Sequence, residues 1–272
     1  MFRGEVLRYG RNRTIHGTSR AKNQISKLKS PEKMSIPQKQ WYLYIDTAHD
    51  PFYNMAMDEV LLQTAEELGT PLIRIYDWDR PSVSIGYVQH YDAAPHDKYT
   101  VVRRPTGGGI VYHDEDLTYT AVVPADDPIC KLNRIDSYHV FHNAILQTLG
   151  EFGLEGSLSP DECGSVDRAT MQCFTTPTRY DVVAAGKKYA GAAQRRTKAG
   201  ILHQGSIDLK ALGCDKKLLT KKLLKAFEKQ FNMHFIDFKP SSSLLKQAAD
   251  LTRTKYATED WNKHKKVERK NA

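Results

Sequence analysis

Three stretches of this chain combine residue types that could do chemistry. The first runs Arg103-Arg104-Pro105-Thr106-Gly107-Gly108-Gly109-Ile110-Val111-Tyr112-His113-Asp114. Three consecutive glycines between two β-type runs lose much backbone entropy on folding, so such a turn persists where backbone must pass close to something or take positive φ. Its N–H groups could line a cavity and bind a carbonyl or phosphate oxygen. Arg103 and Arg104 alternate across a strand, so one of them is expected on the ligand side. The competing reading is a glycine-rich hairpin with two surface arginines. No Gly-Lys-Ser/Thr follows the glycines and G-x-G-x-x-G is absent, which excludes a P-loop and a dinucleotide fingerprint.

The second stretch holds Cys173, within Met171-Gln172-Cys173-Phe174 of a long polar connection. A thiol on a loop is more accessible than one in a core strand, although most cysteines are small, partly buried residues. The third is Gly186-Lys187-Lys188-Tyr189-Ala190-Gly191-Ala192-Ala193-Gln194. Its small residues, Gly191 and Ala192 among them, would let a ligand chain lie against backbone. Lys187 and Lys188 face opposite ways on a strand. An ammonium beside a thiol favours the thiolate, or it could donate to a thioester carbonyl; two solvated lysines at a hairpin turn is the plainer alternative. His113 and His203, at strand ends, are candidate bases or structural hydrogen-bonders.

Composition narrows the classes. With 272 residues, 40% hydrophobic and 26% charged, the chain reads as a globular domain with at most a small appendage. No apolar run approaches membrane-spanning length and no signal peptide is evident, so a cytoplasmic protein with no membrane partner is expected. The net charge of +8 could suggest nucleic acid. However, residues 1–34 hold nine Lys and Arg against Glu5 and Glu32, leaving 31 basic and 30 acidic residues downstream. The body is near neutral, and no nucleic-acid partner is expected. The leader reads as a disordered extension or an upstream start ahead of Met34; a targeting peptide or basic arm is the alternative. Cys130, Cys163, Cys173 and Cys214 form no C-x-x-C pair and no zinc pattern, so they read as reduced thiols with no metal site.

These segments need elements to position them. The pattern predicts strands at Trp41–Ile45, Leu72–Tyr76, Val83–Tyr87, Tyr99–Arg103, Ile110–Tyr112 and Leu117–Val123, then a meander of Tyr180–Ala185, Lys188–Ala193 and Ile201–Ile207. Asp50-Pro51 opens a helix expected to run to Leu68, and Gly69 ends it. Further helices are expected at Ser137–Phe152, Lys216–Phe231 and Ser241–Tyr256, with a solvated, frayed basic end over Lys263–Lys270. Runs of strands with inserted helices predict an α+β fold whose mixed, largely antiparallel sheet is flanked by helices. Residues 1–36 are expected as the extension, 37–235 as the catalytic domain, and 236–272 as its short helical appendage.

Taken together, the segments resemble the biotin/lipoate protein ligase superfamily from about Asn54 to Trp261. The match comprises Asn54-Met55-Ala56-Met57-Asp58-Glu59, Arg74 with Tyr76 and Trp78, Ser84-Ile85-Gly86-Tyr87 with Gln89, Arg103 to Thr120, Gly186 to Gln194 and Gly205-Ser206-Ile207. Cys173-Phe174 with Pro177 and Tyr180, and His113-Asp114-Glu115-Asp116-Leu117-Thr118-Tyr119, look most like the cysteine-dependent octanoyltransferases of the LipM type. Gly109 departs from that branch, where arginine is common, and His203-Gln204 stands in reversed order. The resemblance implies ping-pong acyl transfer in protein lipoylation. Cys173 would carry the octanoyl group and Lys188 would hold its carbonyl. Arg103, Arg104, Thr106, His113, Gly191 and Ala192 would bind substrate, with Gly107, Gly108 and Gly109 as the channel floor. It implies octanoyl-acyl carrier protein as donor, lipoyl domains or glycine-cleavage H protein as acceptors, a monomer, and no cofactor. Competing readings are an ATP-dependent lipoate–protein ligase, the one case needing ATP and Mg, a non-catalytic carrier-binding protein of the same fold, and a cysteine hydrolase.

Overall fold

The structure, a computed structural model, describes residues 39–159 and 181–266. In chain order its elements are β1 Lys39–His49, α1 Pro51–Gln63, α2 Ala65–Leu68, β2 Leu72–Trp78, β3 Ser82–Ile85, β4 Thr100–Arg103, β5 Val111–Tyr112 and β6 Asp116–Pro124. There follow α3 Pro128–Lys131, α4 Arg134–Gly150, β7 Gly156–Leu158, β8 Val182–Ala184, β9 Lys187–Thr197 and β10 Gly200–Asp208. The remainder is α5 Leu209–Leu212, α6 Lys216–Phe231, β11 Met233–Asp237, α7 Ser242–Leu251 and α8 Glu259–His264.

The larger sheet has the order β11-β1-β2-β6-β10-β9-β8-β7. Only β11-β1 and β1-β2 pair in parallel; the rest is antiparallel, as expected of the α+β class. A second sheet, β4-β3-β5, carries the strands on either side of the glycine triplet. Strand β6 is buried at every position because both faces of the large sheet are covered. Leu117, Tyr119, Ala121 and Val123 point to one face and meet Phe141, Ile145 and Leu149 of α4 and Leu219, Leu223 and Phe227 of α6. On the other face, Val122 joins Tyr44, Leu72 and Leu202 against Met57, Val60 and Leu61 of α1 and Leu244 and Ala248 of α7. No helix among the described residues is long and apolar enough to cross a membrane.

Helix α1 begins as its sequence dictates, with the Asp50 carboxylate accepting from the Phe52 and Tyr53 amides and Pro51 in the first turn. It does not run unbroken to Leu68. The Thr64 hydroxyl donates to the carbonyls of Val60 and Leu61, competing with the helical ladder, and the chain restarts as α2 before Gly69 at φ 60°. The C-terminal end differs too. The expected helix over Ser241–Tyr256 stops being α-helical at Leu251 and continues through a π-helical turn, Thr252–Tyr256. Lys263, expected in a frayed tail, instead lies in α8. Trp261 and Asn262 of that helix are buried. Lys255 pairs with Glu59 at 2.5 Å and stands 3.9 Å over the Trp261 ring.

At the centre lies a fully buried guanidinium. All five N–H groups of Arg74 are used: Nε and Nη2 donate to Asp46 (3.0 and 2.8 Å), Nη1 to Asp58 (2.7 Å) and the Asn54 carbonyl (3.1 Å), and Nη2 also to the Asn54 amide oxygen (2.8 Å). The second oxygen of Asp58 accepts from Tyr76, Thr120 and Gln204. The neighbouring Asp58 and Tyr76 lift the Arg74 pKa against the effect of burial, while Arg74 and His49 hold the Asp46 carboxyl below the usual range despite its burial. Removing one member strands the others without solvent. Asp58→Ala should therefore destabilise the fold by about 3–5 kcal/mol, measured as a shift in the urea unfolding midpoint at unchanged m-value.

Candidate active site

A cavity opens between the two sheets. The small sheet and its glycine turn contribute Ser84, Arg104, Gly108, Gly109, Val111 and His113; β9 contributes Lys188, Gly191, Ala192 and Ala193; β10 contributes Gln204, Gly205 and Ser206. Met55, Tyr76, Trp78, Thr118 and Asp181 complete the lining. The space between these walls, open mouth included, is about 530 Å³.

The glycine turn packs as its composition requires. Gly108 sits at φ 85°, and a side chain on Gly86 would collide with the Gly108 carbonyl. The backbones thus touch where no Cβ fits. Gly107, by contrast, has open space around it. Arg104 holds the turn in shape: it donates to the Gly107 carbonyl (2.6 Å from Nη2), the Gly109 carbonyl (2.7 Å) and the Ser84 carbonyl (2.8 Å). Thr106 is buried behind the turn and donates to Gln204 at 2.7 Å. Gly107 and Thr106 do not line the cavity.

Nor does Arg103, expected here as a substrate-binding residue. Its side chain runs the other way, donating to the carbonyls of Gly86 (3.1 Å), Tyr87 (3.0 Å), Gln89 (2.7 Å) and Asn262 (2.6 Å). Its backbone N–H meets Asn262 and its carbonyl meets the Trp261 indole. Strand alternation separated the two arginines; which one faced the cavity was decided by α8, invisible to the local pattern.

Lys187 is exposed and Lys188 is buried. The Lys188 ammonium lies 2.6 Å from the carboxylate of Asp181, with both side chains almost wholly removed from solvent. Gly191 makes room for this pair: an added Cβ would stand 2.8 Å from Lys188 Cε and 3.1 Å from Asp181 Oδ1. Small residues on β9 thus serve the lysine as well as the cavity.

His113 stacks on Trp78 with ring centroids 3.9 Å apart, donating from Nδ1 to Asp116 at 2.9 Å and meeting Ser84 Oγ through Nε2 at 2.8 Å. His203 has another role. It is buried outside the cavity, stacked on Phe141 and bonded to Tyr119 and Gln194; burial drives its pKa well below the usual value, so it is neutral. Asp181, Ser84, Asp116 and Gln204 were not picked out as site residues from sequence. Asp181 carries no distinguishing local signal, and Ser84, Asp116 and Gln204 stand out only within the family motifs.

Cys173 lies outside the described residues, as does Cys163. Cys130 and Cys214 are half-buried free thiols away from the cavity. Burial first, and neighbouring aspartates second, push both upward in pKa, the opposite of an activated nucleophile. Among the described residues no group of three or more His, Cys, Asp or Glu could hold a metal ion.

Comparison with known proteins agrees with this architecture. Residues 50–236 match the lipoyl protein ligase A/B catalytic domain. The octanoyltransferase LipM of Bacillus anthracis is 30% identical over 82% of this chain and 98% of its own length; that of Bacillus subtilis is 30% identical over 83% and 99%. Among solved structures, a bipartite lipoate protein ligase from Thermoplasma acidophilum, described with its E2 lipoyl domain, superposes with a TM-score of 0.67 at 21% identity, over 85% of this chain and 99% of that one. A lipoate-protein ligase A bound with ATP gives 0.66 at 22% identity, over 82% and 98%.

The Gly191 geometry makes a direct prediction. Gly191→Ala should displace the Lys188 ammonium from Asp181, whereas Gly107→Ala should leave the pair in place. The ¹⁵N signal of a buried, hydrogen-bonded lysine ammonium is protected from proton exchange, so its loss in the first variant and retention in the second is the expected result.

Proposed function

The chain belongs to the lipoyl protein ligase A/B catalytic-domain family, and on that footing we propose that it is an octanoyltransferase of protein lipoylation, working through a cysteine thioester. The observation that carries the reading is the buried Lys188 ammonium, fixed by Asp181 on the wall of a cavity floored by glycine and alanine. A positive charge held in a water-poor site is worth far more to a developing oxyanion than one in solvent.

In the proposed reaction the thiolate of Cys173 attacks the thioester of octanoyl-acyl carrier protein. The carbon–sulfur bond to the carrier breaks and the octanoyl group passes to Cys173. A lysine of a lipoyl domain, or of glycine-cleavage H protein, then attacks the enzyme thioester; the carbon–sulfur bond to Cys173 breaks, the lysine's proton passes to the departing thiolate, and the octanoyl group leaves as the amide. Lys188 steadies the carbonyl oxygen in both halves. Thioester to amide is downhill, so the scheme needs neither ATP nor metal. Support for Cys173 comes from the likeness of Cys173-Phe174 with Pro177 and Tyr180 to the LipM type and, among the described thiols, from the unactivated state of Cys130 and Cys214.

The donor's carrier has a candidate landing surface. Lys216 bonds Asp77 and the Asp116 carbonyl, so α6 begins beside strands that border the cavity. From there Lys217, Lys221 and Lys225 run along a groove with Leu43, Ile45 and Phe235; of its acids, Asp46 and Asp77 are paired with Arg74 and Lys216, and Asp215 and Glu228 leave the three lysines a small excess of positive charge for an acidic carrier. Lys221→Glu with Lys225→Glu should raise KM for carrier-bound donor roughly tenfold or more, while octanoyl-coenzyme A turnover stays unchanged. Equal effects on both donors would remove the docking role.

Incubation with octanoyl-acyl carrier protein, without nucleotide, should give an octanoyl adduct cleaved by neutral hydroxylamine and seen by intact-protein mass spectrometry. Cys173→Ala should abolish that thioester. Lys188→Ala should slow turnover by roughly a hundredfold or more, and Lys187→Ala hardly at all. A strict requirement for ATP with free octanoate or lipoate would instead favour the ligase reading.

A further inference from the structure

Ser84, His113 and Asp116 stand in line at the cavity wall, each within hydrogen-bond reach of the next. The Asp116 carboxyl is held below the usual range by His113, Ser206 and Thr118 despite its burial, so it is ionised and only accepts. Ser206 and Thr118 donate to its Oδ2 at 2.6 and 2.8 Å, and His113 Nδ1 does so at 2.9 Å. A ring that carries its proton on Nδ1 alone presents a lone pair at Nε2. Ser84 Oγ lies 2.8 Å away and accepts a hydrogen bond from Arg104 Nη1 at 3.2 Å. In that form of the ring the Ser84 proton points to His113. Trp78, stacked on the imidazole, fixes the ring plane. Ser84 and His113 both line the cavity.

We infer that Ser84, activated by the His113–Asp116 pair, is a second nucleophile of this cavity and gives the protein a slow acyl-ester and acyl-thioester hydrolase activity independent of Cys173. The constellation meets the geometric criteria for a base-activated serine: nucleophile to base, base to orienting carboxylate, both within hydrogen-bond reach. Ser84 Oγ adds to the acyl carbonyl carbon while its proton moves to His113 Nε2. The carbonyl oxygen becomes negative within a cavity that Arg104 and Lys188 also line. The bond to the leaving thiolate or alkoxide breaks, and that group takes the proton from the imidazolium. Water then attacks the Ser84 ester with His113 again as base, releasing a carboxylic acid and restoring the serine. The substrate class is a medium-chain acyl ester or thioester, the same chain the cavity would hold during transfer.

An octyl-chain fluorophosphonate, which phosphonylates base-activated serines and spares ordinary ones, tests this without reference to lipoylation. The full chain and its Cys173→Ala form should both acquire one adduct, mapped by peptide mass spectrometry to Ser84. Both should release p-nitrophenol from p-nitrophenyl octanoate. Ser84→Ala should abolish labelling, and in the Cys173→Ala background it should also abolish hydrolysis; His113→Gln should slow labelling at least a hundredfold. If His113→Gln does not fold, the unsubstituted chain decides the matter by itself. Folded protein in which Ser84 stays unlabelled, or in which the adduct maps elsewhere, overturns the inference and leaves the Cys173 reaction untouched.

Discussion

A buried guanidinium with every donor satisfied is the constraint around which this fold is arranged. Arg74 on β2 binds carboxylates from β1 and α1, and through Asp58 it reaches Thr120 on β6 and Gln204 on β10. Four neighbouring strands and the helix covering them thus share one polar knot. A one-residue slip of register would turn every side chain of a strand to the opposite face, and here it would also leave a charge in low dielectric. Gln204 also lines the cavity and accepts from Thr106 next to the glycine turn. The site is therefore tied to the knot by a short chain of hydrogen bonds.

The cavity exists because two sheets meet where side chains are missing. Gly86 and Gly108 let backbones touch, Gly191 lets Lys188 fold onto Asp181, and Gly205 leaves room for the Tyr119 ring. Each glycine has a different neighbour and a different reason. Lys188, Gly191, Ala192 and Ala193 of β9 all line the cavity, so its small-residue wall and its ammonium come from one continuous run of sequence.

Much of this was legible in the sequence where the signal is local. The Asp50-Pro51 start, the α6 stripe of Leu219, Leu223 and Phe227, and the meander of β8, β9 and β10 follow from capping and periodicity. Alternation separated Arg103 from Arg104 and Lys187 from Lys188. It could not say which of each pair faced inward, since that depends on Asn262 and Asp181, distant in sequence from the arginine and set across a turn from the lysine. The Arg74 knot was visible only as part of a family motif, and its structural role required four strands to be laid side by side. The break at Thr64 and the burial of Trp261 escaped for the same reason: a side-chain back-bond and a tertiary contact overrode the local pattern.

The grip of Asn262 on Arg103 spans a sequence separation of 159 residues. Contacts this distant form late and slow folding. On the ribosome, the strand that leads into the glycine turn emerges long before the helix that hydrogen-bonds its buried arginine. Until α8 is synthesised, that guanidinium has three loop carbonyls and no C-terminal cover, and the turn beside it lacks its final brace. Completion of the cavity is thereby coupled to completion of nearly the whole polypeptide, so truncated products would lack a finished site.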